Sequence, residues 1–268
     1  MFAYEFMWRA LAAGLLVSLL CSVLSLFVLL RRMAFAGMGI SHAALGGVAI
    51  GLLTGMNPLV GALGVCVATA LGIGAVTRSG RVSPDVAIGI LTSGLMALGV
   101  VLMGLSSGYQ GDLYSYLFGN ILAVDSGQFL WLVAVAVPVL GFIAVFLKEL
   151  LFVAFDEEVA QVTGVPARLL NYGLLVSIAC TVVAAINMVG VVLASALLVA
   201  PAAIGFQIAD NWRPILLVSV LSGWVAVAAG LACSFLWDVA SGGAIVLVLV
   251  LQFFAAVLLR RLRRPAHI

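Results

Sequence analysis

Long apolar runs broken by short polar stretches dominate this chain, and their lengths predict helices that cross a membrane. A crossing needs about 20 apolar residues, because an α-helix rises about 1.5 Å per residue through a hydrocarbon layer about 30 Å thick. The runs between polar breaks predict nine spans, at roughly 10–30, 41–56, 58–77, 86–105, 128–147, 169–186, 188–208, 214–236 and 243–260. The second is short and rich in glycine, and the seventh is interrupted by Pro201. The first run is longer than the core of a cleavable signal, which is about 7–15 residues, so it reads as a span that stays with the protein.

Charge gives these spans a direction. Lys and Arg collect in the cytoplasmic loops of membrane proteins. Nine spans place Arg31, Arg32, Arg78, Arg81, Lys148, Arg168, Arg213, Arg260, Arg261, Arg263 and Arg264 on one side and only Arg9 on the other. One span more or fewer would scatter that bias. The expected orientation is therefore N-terminus outside and C-terminus in the cytoplasm. The outer loops then carry Glu5, Asp112, Asp125 and Asp238, an acidic surface that favours an approaching cation. Trp8, Trp131, Trp212 and Trp237 fall at span ends, where indole rings anchor, and Trp224 is mid-span.

Composition agrees. Hydrophobic residues make up 65% of the 268 and charged ones 8%, against about 45–50% and about 25% in soluble domains. The excess must face lipid. No polar linker divides the chain, so residues 1–268 read as one transmembrane domain with a polar loop at about 148–168. A net charge of +2 gives no reason to expect nucleic acid. Cys21, Cys66, Cys180 and Cys233 lie in apolar runs without C-x-x-C spacing and read as small packing residues.

Several chemistries are excluded. No phosphate-binding G-x-x-x-x-G-K-[ST] loop is present, and Lys148 sits in FLKEL without glycine. No H-E-x-x-H occurs, and the histidines are His42 and His267. No serine has an evident base beside it. The chain reads as a pathway, not an enzyme.

Two segments carry candidate chemistry. In RRMAFAGMGISHAALGGVAIG, from Arg31, a glycine-rich turn leads into a helix capped by Ser41, with Gly46, Gly47, Gly51 and Gly55 along it. Gly47, Gly51 and Gly55 recur every four residues and predict one face for close helix packing. His42 near that helix start is an ionisable group within a span, a functional candidate, and imidazole is a common ligand of transition metals. A His satisfied by a backbone carbonyl is the plainer reading of the same residue. In FDEEVAQVTGVPAR, Asp156 predicts an N-cap, with Glu157 and Glu158 in the first turn of a helix at about 157–163, and Gly164 then Pro166 stop it. Val159 and Val162 share a face at i, i+3 spacing, an apolar ridge suited to docking in a partner's groove. A solvated connector is the competing reading.

These segments, with DLYSYLFGNIL at 112–122 and VGVVLASALLVAPAA at 189–203, resemble the membrane subunits of bacterial ATP-binding-cassette importers for zinc, manganese and iron. The resemblance runs through essentially the whole chain and rests on four motifs in order. It implies an all-α polytopic membrane protein of about nine transmembrane helices, of the vitamin-importer type of permease. It implies a bacterial inner-membrane homodimer with the pathway between the copies. Two cytoplasmic ATPase subunits would dock at 155–165, on Asp156, Glu157, Glu158, Val159, Ala160, Val162 and Gly164, and an extracytoplasmic protein would deliver the metal. ATP would bind the partner, and this chain would hold no cofactor beyond the divalent ion it passes. Pathway candidates are His42, Met38, Asp112 and Asp238, and Pro201 either breaks its helix, as helices at transport sites do, or sits in a packed kink.

One position departs from the family pattern. Members often carry an acid four residues before the histidine, and Met38 stands there. Positions i and i+4 share a helix face, and a thioether is a softer, weaker ligand than a carboxylate. That disfavours manganese, so the expected cargo is zinc first, manganese or iron next. A stand-alone secondary transporter or channel is a rival, as is a carrier of metal chelates, and a membrane scaffold that recruits a partner through 155–165 is a third.

Overall fold

The computed structural model describes residues 5–78, 81–105, 121 and 125–263. Its elements are α1 (Glu5–Leu30), α2 (Ala36–Thr54), α3 (Pro58–Thr77), α4 (Pro84–Leu105), α5 (Ser126–Val145), α6 (Leu147–Phe155), α7 (Glu157–Val162), α8 (Ala167–Leu197), α9 (Ala200–Ile208), α10 (Trp212–Trp237) and α11 (Ser241–Arg263). The protein is an all-helical membrane protein, as the apolar runs require. In hydrocarbon every backbone polar group needs an internal partner, and a helix supplies one.

Eight stretches among the described residues are long and apolar enough to cross, and one of them is the 42-residue run Ala167–Ile208. That run holds both the sixth and the seventh predicted span. Contacts show that it doubles back. Helix α1 packs against α10 in antiparallel sense, with Gly14 against Val227 and Ser18 and Ser22 against Gly223. Helices α10 and α11 are antiparallel too, because Gly230 meets Ile245 across the short Asp238–Ala240 connection. So α1 and α11 run the same way, and Arg31 and Arg260 lie on one face of the bundle. Arg168 and Tyr172, at the start of α8, line a cavity with Arg31. At the far end of the run, Arg260 Nη1 donates to the Phe206 carbonyl at 3.4 Å and to Gln207 Oε1 at 3.1 Å. Both ends sit on the same basic face.

The turn between the arms is at Gly190, whose φ of 81° and ψ of 168° interrupt the helix. A side chain is strained there, and glycine is not. The apex residues Met188, Val189, Gly190 and Val191 are buried, which is what makes non-helical backbone tolerable at membrane depth. The second arm breaks again at Val199, and Pro201 sits at the start of α9, where its missing N–H costs nothing. Pro201 therefore opens a helix after a break, which agrees with the broken-helix reading and not with the packed kink.

Helix α2 is the centre of one half of the bundle, between α3, α4 and α8. It starts at Ala36, five residues before Ser41, so the expected cap is wrong: Ser41 lies inside the helix and donates to the Gly37 carbonyl at 2.7 Å. The turn is made instead by 31–35, with Arg32 at a φ of 54°. Gly37 and Gly39 lie inside the helix and make room for neighbours: a Cβ would stand 2.8 Å from Leu198 Cδ1 on the first and 2.5 Å from Ile88 Cγ2 on the second. The expected face of Gly47, Gly51 and Gly55 is also revised. Gly47 and Gly51 pack on α3, Gly46 packs on α4, and Gly55 is the left-handed C-cap at a φ of 69° with open space around it. The four cysteines are free, Cys21 and Cys66 buried and the other two half-buried.

Candidate metal pathway and docking surface

At the start and over the first turns of α2 one narrow stripe escapes burial. Phe35, Met38, His42 and Leu45 follow at helical spacing, and Met38 keeps 45% of its surface. The flanking residues Gly37, Gly39, Ile40, Ser41, Ala43, Ala44, Gly46 and Gly47 are buried. His42 Nδ1 lies 2.7 Å from the Met38 carbonyl oxygen. A carbonyl only accepts, so Nδ1 donates here, and in a neutral ring that leaves Nε2 as the nitrogen with the lone pair, the one that faces a metal. The backbone contact that the plainer reading expected is present and leaves the ligand nitrogen available. Met38 lies one turn before His42 on the same face.

The return arm of the α8 hairpin joins this stripe. Ser195 Oγ donates to the Val191 carbonyl at 2.8 Å and approaches Ser41 Oγ at 3.5 Å. Val192 is exposed on that arm although its neighbours Val191 and Leu193 are buried. The sequence reads Ser195 as an interhelical hydrogen-bonding residue, and its approach to Ser41 agrees; the exposure of Val192 had no sign in the sequence beyond the glycine in NMVGVV, just inside the seventh predicted span. Asp238 lies at a helix end and not on the α2 stripe. It is the left-handed C-cap of α10, on the face opposite the basic one. Asp112 and most of its motif lie outside the described residues, as does His267. Among the described residues no three His, Cys, Asp or Glu side chains gather as a metal cluster.

At the basic face α7 follows the sequence closely. Asp156 Oδ1 accepts from the Val159 amide at 3.0 Å, and Gly164 ends the turn at a φ of 85°. Val162 is 88% exposed and Val159 is exposed beside it, so the predicted ridge faces outward. Ala160 is fully buried and faces the bundle. Glu157 also turns inward. Its Oε2 accepts from Arg31 Nη2 at 2.8 Å, with 11% of the Arg31 side chain and 40% of the Glu157 side chain exposed. Burial holds the Arg31 guanidinium below its usual pKa, and the Glu157 carboxylate partly offsets that. A cavity of about 790 Å³ opens beside the pair, lined by Arg31, Arg32, Arg78 and Arg168 and by Glu157 and Glu158.

Comparison with known proteins places this geometry. The model of the ABC 3 transport family matches residues 3–260. The manganese transport system membrane protein MntC of Listeria innocua is 37% identical over 255 residues, covering 95% of this chain and 91% of that protein. The chelated iron transport system membrane protein YfeD of Yersinia pestis is 34% identical over 265 residues, covering 98% of this chain and 88% of that protein. The structure of PsaBC from Streptococcus pneumoniae in complex with Fab matches with a TM-score of 0.83 at 32% identity, over 95% of this chain and 91% of that one.

Proposed function

Because the chain belongs to the ABC 3 transport family, the membrane subunits of ATP-binding-cassette metal importers, we propose that two copies form the pathway of an inner-membrane importer of divalent transition metals. The observation that carries this reading is the exposed Met38–His42 stripe on the otherwise buried first turns of α2. An imidazole with a free Nε2 inside a span invites a cation, and a second copy would bring a second stripe to face the first. The single domain 1–268 would carry no ATPase of its own. Asp156, Glu158, Val159 and Val162 of the 148–168 loop would offer the outer surface of α7 to a cytoplasmic ATPase, where ATP is hydrolysed. An extracytoplasmic metal-binding protein would deliver the ion to the acidic face, where Asp125 and Asp238 lie. The arginine-rich face would be cytoplasmic, which puts the N-terminus outside.

The cargo is manganese or iron ahead of zinc. The sequence reading ranked zinc first on Met38, but neither relative described above has a name that mentions zinc. A Met–His pair with no carboxylate is a weak site for manganese, which suits an ion that passes and does not stay.

The test is ATP-driven uptake of manganese, iron and zinc into vesicles holding this chain with its ATPase and binding protein. His42→Ala is expected to cut uptake of the transported ion at least tenfold (about 1.4 kcal/mol per tenfold), with assembly unchanged, because among the described residues the His42 ring bonds only within its own helix. Wild-type complex that hydrolyses ATP and moves none of the three ions would overturn the metal assignment.

A further inference from the structure

Arg31 differs from its basic neighbours. Arg32, Arg78 and Arg168 also line the basic-face cavity, and topology alone accounts for them. Arg31 is instead mostly buried, and its guanidinium grips Glu157 at 2.8 Å, across 126 residues of sequence. The pair has two consequences of position. Glu157 opens α7, whose other face presents Val159 and Val162 to water. Arg31 opens the five-residue turn between α1 and α2. That turn is stiff: the Met33 amide donates to Val28 O at 2.9 Å, the Ala36 amide to Met33 O at 2.9 Å, and the Gly39 amide to Phe35 O at 2.8 Å. Beyond it, α2 is held backbone against backbone at Gly46, Gly47 and Gly51, so a displacement at its start carries α2 together with the helices packed on it as one body. Met38 and His42 ride on its first turns.

Resting on the functional reading above, we infer that the Arg31–Glu157 ion pair transmits movement of the docking helix α7 to the pathway helix α2, which makes Arg31 a positioning residue for transport. It acts by position, carrying the displacement of α7 to the helix that bears Met38 and His42.

The experiment is a double-mutant cycle on the assembled complex in vesicles, reading ions taken up per ATP hydrolysed, a ratio that a simple loss of folded complex leaves unchanged. Arg31→Gln and Glu157→Gln are each expected to lower the ratio about tenfold. The double variant should fall no further, because both changes break one link. Arg31→Lys, which keeps the charge, should recover most of the ratio. Single variants within twofold of wild type, or effects that multiply to about a hundredfold, would overturn the link while leaving the importer intact. A wild-type complex that hydrolyses ATP without uptake would defeat the link and the functional reading together.

Discussion

Two helix contacts in this protein are both close, and they are close for different reasons. Where α2 meets α3 and α4, backbone touches backbone. A Cβ on Gly47 would stand 2.6 Å from both Ala62 Cα and Gly61 O, and one on Gly46 would stand 2.8 Å from Leu95 O. Where α1 meets α10, Gly223 is pressed by side chains, the hydroxyls of Ser18 and Ser22. Those hydroxyls are buried and accept or donate no hydrogen bond among the described residues, so they are free to rotate. Lipid tails are as apolar as leucine, so membrane helices associate through packing and hydrogen bonds and not through the hydrophobic effect. The first contact is rigid and the second is forgiving. The rigid one holds the helix that carries His42.

The largest effect should come from the rigid contact. Gly47→Val must separate α2 from α3, because backbone atoms cannot step aside, and the expected loss is about 3 kcal/mol. Gly94→Val on α4 is the control, since a Cβ there meets nothing within 4 Å, and its effect should stay within about 0.5 kcal/mol. Thermal unfolding of the purified protein in detergent reads both. If Gly47→Val unfolds no earlier than Gly94→Val, the α2 contact is not tight and the comparison collapses.

Much of this was legible in the sequence, and the failures have one cause. Run length and loop arginines placed the crossings, even the two that share the single run 167–208, because the need to return Arg213 to the basic side forces a turn between them. Asp156, Gly164 and the Val159–Val162 ridge could be read because capping and left-handed stops are local chemistry. What could not be read was which neighbour each glycine serves. Gly37 and Gly39 look like a turn in isolation, but they are helical and make room for Leu198 and Ile88. Gly55 has the right spacing for the packing face and is a C-cap. Glu157 was expected to face a partner, but it faces Arg31, and no local pattern joins residues 126 apart. His42 was visible as an intramembrane imidazole, while Ser195 needed the hairpin at Gly190 to come back to Ser41, the residue before His42.

The forgiving contact should give an intermediate effect. Gly223→Ala puts a methyl where Ser22 Oγ would stand 2.7 Å away and Ser18 Oγ closer still. Rotation of the two hydroxyls absorbs most of that, so the expected loss is about 1 kcal/mol, at the low end for overpacking. Adding Ser18→Gly should return part of it by removing the nearer hydroxyl. The same thermal unfolding measurement checks the pair. A loss as large as that of Gly47→Val, with no recovery in the double variant, would mean that both contacts are rigid.

The smallest effect tests what hydrogen bonding adds to the α1–α10 contact. Trp224 Nε1 donates to the Leu15 carbonyl of α1 at 3.2 Å, from a ring that is partly exposed. This explains an indole in mid-span, away from the headgroups where the other tryptophans sit. Interhelical hydrogen bonds in membrane proteins average about 0.6 kcal/mol. The value here should be no higher, because a carbonyl inside α1 keeps its own helical N–H partner once the indole is gone. Phenylalanine preserves most of the ring volume, so Trp224→Phe removes the bond with little cavity. The expected loss is about 0.5 kcal/mol, below that of Gly223→Ala. If Trp224→Phe instead costs more than Gly223→Ala, hydrogen bonding and not side-chain fit holds α10 to α1, and the two contacts differ in kind more than in stiffness.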